Sequence, residues 1–132
     1  MSATRDRRLT RILTWAAAAA LAGAAPVTAQ QAAADTNAIT PAMVDLGRAI
    51  FHGKGMCFAC HGQALEGTQV APTLKSHAWR DAKNGDYGPL LDVITKGVPS
   101  TAMVATPGGI SRAEATSVAA YIWSVNNRKA KG

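Results

Sequence analysis

Much of what small folds rely on is scarce in this chain. Cysteine occurs twice in 132 residues, histidine three times, and the aromatic residues are three Trp, two Tyr and two Phe. A disulfide between Cys57 and Cys60 would close only a tiny loop and add little stability. Zinc wants four ligands, commonly two C-x-x-C pairs or one pair plus spaced histidines. Cys57, Cys60, His61, His52 and His77 are the sole candidates, and adjacent Cys60 and His61 strain a tetrahedral arrangement. No run of alternating β-branched residues appears, so the βαβ context of a thioredoxin-like C-x-x-C is missing. There is no internal repeat. The formal charge of +6 and pI of about 9.8 come without a basic stripe, which speaks against nucleic-acid binding.

The longest apolar run, residues 12–25, falls short of the roughly 20 residues that span a bilayer. It follows Arg5, Arg7, Arg8 and Arg11 and precedes the small residues Val27, Thr28 and Ala29. A positive segment, a short apolar segment and a small-residue cleavage site make a secretory signal peptide over residues 1–29. Its removal leaves 103 residues, with ten Lys and Arg against seven Asp and Glu. That is one small domain of modest positive charge, with no membrane span remaining. Residues 30–39 are rich in Ala, Gln and Asn without a periodic apolar face, and are expected to be a mobile leader. The domain proper is expected over 40–128, followed by a basic tail at 129–132.

Within it stands Cys57-Phe58-Ala59-Cys60-His61. C-x-x-C-H is the attachment pattern of a c-type haem. Thiols three positions apart lie on one face of a helical turn, so each can add to one haem vinyl group as a thioether. The adjacent imidazole then reaches the iron as the proximal ligand. Haem of this kind is attached after export, in a compartment where the two thiols must be kept reduced beforehand. The motif and the export signal therefore support one another, and predict one covalently bound haem c per chain.

The remaining pattern is helical. Thr40-Pro41 reads as an N-cap followed by Pro at the first helical position, opening a helix whose Val44, Gly47 and Phe51 share a face. Gly53 and Gly55 end it. Gly62, Gly67 and Pro72 punctuate an irregular stretch. Residues 86–96 form a second long helix with Leu90, Leu91 and Ile94 apolar, stopped by Gly97. Ser111-x-x-Glu114 is a capping box for the last helix, where Val118, Tyr121, Ile122 and Val125 recur at helical spacing. Gly47 has no side chain, so another helix can cross closely there, with Phe51, Val118 and Tyr121 filling the crossing.

These features together resemble the class I monohaem cytochromes c. The resemblance is carried by Gly47-x-x-x-Phe51 before Cys57-x-x-Cys60-His61-Gly62, by Ala71-Pro72-Thr73-Leu74 after it, and by Val118-Ala119-Ala120-Tyr121-Ile122-Trp123 in the final helix. It covers nearly all of residues 41–127. It implies an all-α cytochrome c fold, with N- and C-terminal helices crossing and a loop-rich middle wrapped around one covalent haem. It implies that the Pro72 carbonyl accepts a hydrogen bond from the second ring nitrogen of His61. It also makes Met103, in the segment 97–103, the sixth iron ligand: Met43 and Met56 lie on the wrong side, and His77 is the runner-up. Trp79, Arg80 and Tyr87 are candidate donors to a haem propionate. Lys54, Lys75 and Lys96 are candidates for a positive ring around the haem edge. The expected function is a periplasmic electron carrier ligated by His61 and Met103, with redox protein partners such as a periplasmic dehydrogenase and a terminal oxidase. The alternative is the haem subunit of a periplasmic dehydrogenase, for example sulfite- or alcohol-oxidising. A sensor or peroxidase-like site would require a labile or missing Met103 bond.

Overall fold

The structure, a computed structural model, describes residues 35–76, 79 and 81–127. The signal segment, the start of the leader, the tail beyond 127, His77 and Arg80 lie outside the described residues. Among the described residues there is no strand; four α-helices are joined by loops and three 3-10 turns. We label the helices α1 (Pro41–His52), α2 (Phe58–His61), α3 (Tyr87–Lys96) and α4 (Arg112–Asn126).

The helix boundaries follow from local chemistry. Thr40 accepts the Met43 N–H at 3.2 Å, and Pro41 occupies the first helical position, where its missing N–H costs nothing. Pro89 likewise falls in the first turn of α3. Gly97, at φ 70°, ends α3 in a conformation that L side chains rarely adopt. The capping box of α4 is closed in both directions: Ser111 Oγ accepts the Glu114 N–H at 3.2 Å and Glu114 accepts the Ser111 N–H at 2.7 Å.

The described end of the leader has a local structure. Thr36–Ala38 form a 3-10 turn capped by Asp35, whose carboxylate accepts the Asn37 N–H at 2.8 Å, and Ile39 packs against the core. An Asx-type turn of this kind is a local preference of Asp and Asn. It needs no apolar periodicity, so periodicity could not reveal it.

The core forms where α1 meets α4, with α3 packed against α4. Phe51, Val118 and Tyr121 are completely or almost completely buried, and the Phe51 and Tyr121 rings meet edge-on at 5.7 Å. Gly47 makes the crossing possible. A Cβ built there would lie 1.9 Å from the Ser117 carbonyl oxygen and 2.9 Å from Tyr121 Cβ. The closest neighbour is thus the backbone of Ser117, one residue before the expected Val118. A second tie joins the same two helices. Lys54 Nζ, just past α1, sits 3.0 and 2.9 Å from the two carboxylate oxygens of Glu114 in the first turn of α4. The Ser111 backbone N–H and then the Lys54 ammonium hold the Glu114 carboxyl down at about 2.

Candidate haem site

The segment between α1 and α2 is a tight reversal. Gly55 N–H donates to the Ile50 carbonyl at 2.9 Å, and Met56 follows at φ 51°, a rare conformation for a side-chain-bearing residue. The reversal delivers Cys57 at the head of the single turn α2, so Cys57, Cys60 and His61 all line one cavity. Neither cysteine is in a disulfide. Burial pushes the Cys57 thiol up to about 11, against a partly compensating backbone hydrogen bond, so it is protonated at neutral pH.

His61 is fixed by its backbone and its ring. Gly67 N–H donates to the His61 carbonyl at 2.7 Å, and Nδ1 lies 2.9 Å from the Pro72 carbonyl. A carbonyl can only accept, so Nδ1 carries the proton and Nε2 is the nitrogen able to bind a metal. Beyond Pro72, the next two carbonyls are also taken. Trp79 Nε1–H donates to the Thr73 oxygen at 2.9 Å, and Asn126 Nδ2 donates to the Leu74 oxygen at 2.6 Å. Trp79, a candidate propionate donor, lines the cavity with its one N–H engaged by the backbone. The Tyr87 hydroxyl, another candidate, donates to the Thr116 carbonyl at 3.2 Å. Arg80 lies outside the described residues.

The second loop belongs to Met103. Val98 N–H donates to the Met103 carbonyl at 2.8 Å, Met103 N–H donates to Thr101 Oγ1 at 3.1 Å, and Thr106 N–H returns to the Ile94 carbonyl at 2.9 Å. Gly97 permits this fold-back, since a Cβ there would come within 2.6 Å of the Met103 carbonyl oxygen. Met103 is half-buried and lines the same cavity as His61. Met43 packs against the core and does not line the cavity; Met56 lines it but is 60% exposed. His52 does not line the cavity; its Nδ1 and Nε2 lie 3.0 and 2.8 Å from the Arg48 and Gln63 carbonyls.

The cavity holds about 670 Å³, and its walls include Leu74, Leu90, Ile94, Val118 and Ile122. This is a size suited to a substantial apolar ligand. Its donor set is two thiols, one imidazole with Nε2 available, the thioethers of Met103 and the more exposed Met56, and the Asp81 carboxylate. Among the described residues, no group of three or more His, Cys, Asp or Glu could hold a metal ion by itself. One imidazole is a poor site for a bare ion but a sufficient anchor for an iron that brings its own four nitrogens. The residues fit haem c. The lysine ring fares less well: Lys54 is paired with Glu114, and Lys96 with Asp92 at 3.0 Å.

An all-helical domain with crossed terminal helices around a C-x-x-C-H cavity is a c-type cytochrome. Residues 42–122 match the family model described as cytochrome c oxidase, cbb3-type, subunit III, and the chain belongs to that family of cytochrome c domains. Among solved structures, it resembles cytochrome cL from Methylophaga aminisulfidivorans MPT, at 25% identity and a TM-score of 0.56, over 64% of this chain and 56% of that one. It also resembles cytochrome cL from Hyphomicrobium denitrificans, at 25% identity and TM-score 0.52, over 61% of this chain and 45% of the other. The Kuenenia stuttgartiensis reducing HAO-like protein complex contains the same fold, at 20% identity and TM-score 0.54, covering 66% of this chain and 45% of its counterpart. The chain thus spans about half the length of these structures. No curated protein matches it in sequence. Among the described residues, no helix is long and apolar enough to cross a membrane.

Proposed function

We propose that the protein is a periplasmic single-haem carrier of electrons, with Cys57 and Cys60 holding the porphyrin as thioethers and His61 and Met103 ligating its iron. The observation that carries this reading is the orientation of His61, whose Nδ1–H is held on Pro72 while Nε2 serves a cavity shared with both thiols and Met103. Haem bound there supplies one-electron chemistry between ferrous and ferric iron. The chain's own residues do the rest. His61 is fixed in tautomer and rotation, and the carbonyl bond raises its basicity. The Met103 thioether is a soft donor that favours the reduced metal. The largely apolar walls lower the dielectric around the site. With His61 and Met103 both bound to the metal, the site would have no place for a substrate, which favours electron transfer over chemistry on a small molecule.

The partners on this reading are redox proteins. A second reading, a haem subunit within a larger oxidoreductase, is favoured by the family model's description as an oxidase subunit. Acid–acetone extraction of the exported protein tests the common premise. Haem should stay with the chain and give a pyridine haemochrome typical of two thioethers; haem released into the acetone refutes the reading. Purification from native periplasm then separates the two, since a subunit brings a catalytic chain with it.

A further inference from the structure

Three consecutive carbonyls, those of Pro72, Thr73 and Leu74, each accept a side-chain donor from a different part of the chain. The donors are His61 Nδ1, Trp79 Nε1 and Asn126 Nδ2, at 2.9, 2.9 and 2.6 Å. Asn126 is the last residue of α4, and is 52 positions from Leu74. Its amide nitrogen also donates to the Ile122 carbonyl at 2.9 Å, within its own helix. The two amide hydrogens thus have separate duties: one locks the side chain to α4 and the other reaches the irregular segment. Leu74 is itself buried, so its carbonyl has little recourse to solvent.

We propose that Asn126 and Trp79 are positioning residues for the metal-binding imidazole, acting through the carbonyl run 72–74 rather than by touching His61. The inference rests on the haem reading above. The run has no helical or sheet hydrogen bonding of its own. Its remaining anchors join it to Leu65, through Leu74 N–H at 2.8 Å and Thr73 Oγ1 at 3.0 Å. The Pro72 carbonyl shares a planar peptide unit with the Thr73 nitrogen, so a displacement of Thr73 moves that carbonyl with it. A carbonyl that drifts from Nδ1–H leaves the imidazole less electron-rich, which disfavours ferric iron and raises the reduction potential. The end of α4 is thereby linked to the electronic state of the ligand.

The test uses the exported, haem-loaded full chain and two readouts. These are the midpoint potential from redox titration, and the deuterium exchange rate of the His61 Nδ1 proton, followed by NMR in the ferrous state. Asn126→Asp keeps the shape and removes the donor; Asn126→Leu removes both polar atoms; Trp79→Phe removes the other donor. Each should speed exchange roughly two- to twelvefold, the range set by one lost neutral hydrogen bond, and the neutral variants Asn126→Leu and Trp79→Phe should also raise the potential; the new carboxylate of Asn126→Asp lowers the potential by itself, so that variant is read by exchange alone. Asn127→Ala is the control, since it loses a similar helix-end bond, Asn127 Nδ2 to the Trp123 carbonyl at 2.9 Å, that does not touch the run. It should move neither readout. Should Asn126→Leu fail to fold, the Asp and Phe variants carry the test. Covalent haem with exchange unchanged in these variants and potential unchanged in the neutral ones, or with both changed equally in the control, overturns the positioning role and leaves the haem reading standing. A wild type without covalent haem overturns both.

Discussion

Replacing Gly47 with alanine asks whether the crossing of α1 and α4 is as close as the structure has it. At an exposed helical position this change is favourable, because alanine is the better helix former by about 1 kcal/mol. Here the added carbon would sit 1.9 Å from the Ser117 carbonyl oxygen, whereas ordinary contact begins at 3.4 Å. The obstacle is backbone, so it cannot rotate away; one helix must move by about 1.5 Å, the difference between those two distances. Overpacking of this kind costs about 1–3 kcal/mol and sometimes more. Separation also loosens the edge-on contact of Phe51 with Tyr121, worth about 1 kcal/mol. Subtracting the gain in helix propensity leaves a net loss of about 1–3 kcal/mol, or a fall in melting temperature of roughly 5–20 °C for a domain of this size. The assay is thermal unfolding of the haem-loaded protein followed by far-ultraviolet circular dichroism. A melting temperature equal to or above that of the wild type refutes the close crossing, because the propensity term alone would then decide the sign.

Met103→Ala should abolish the weak sulfur–iron charge-transfer band at the red edge of the ferric spectrum, lower the reduction potential and open the iron to carbon monoxide. The three changes share a cause; carbon monoxide binding by the wild type with no such band would remove Met103 from the ligand set. Glu114→Gln should lower stability near neutrality and flatten its acid dependence. With the folded carboxyl at about 2 against an ordinary 4.5, its contribution is fully present above about 4.5 and is lost as pH falls from there towards 2. Denaturant titrations from pH 2 to 7 with the same slope in variant and wild type would show that the Lys54 and Ser111 contacts do not hold in solution.

What the sequence disclosed and what it withheld divide along a physical line. The helices are legible because capping and periodicity are local: Thr40-Pro41, Ser111-x-x-Glu114 and the Gly97 stop each act within a few residues. The motif is legible because attachment chemistry dictates its spacing. Gly47 announces a close approach, but Ser117 as its neighbour depends on the crossing geometry, which one strand of sequence does not specify. Lys54, read as a candidate for the ring around the haem edge, is taken by Glu114 from 60 residues away. Trp79 and Asn126 are ordinary by type; their use appears only once the 72–74 segment is placed. The Asp35 turn was available in the Asp-x-Asn spacing, a cue that a search for apolar stripes passes over.

The contact between Gly47 and Ser117 closes a loop of 70 positions, and that closure sets the order in which the molecule can be taken apart. The entropy of joining chain ends grows only slowly with length, about 4 kcal/mol for a loop of this size before the constant term. The C-x-x-C-H turn, the carbonyl run and the Met103 loop all lie inside it. A protease that nicks the irregular stretch near Val70, which is 66% exposed, removes the covalent closure without touching the crossing. One piece would retain α1 and both cysteines, the other α3, Met103 and α4. Each carries half of a complementary interface, so the nick turns the α1–α4 crossing from a contact within one chain into a contact between two.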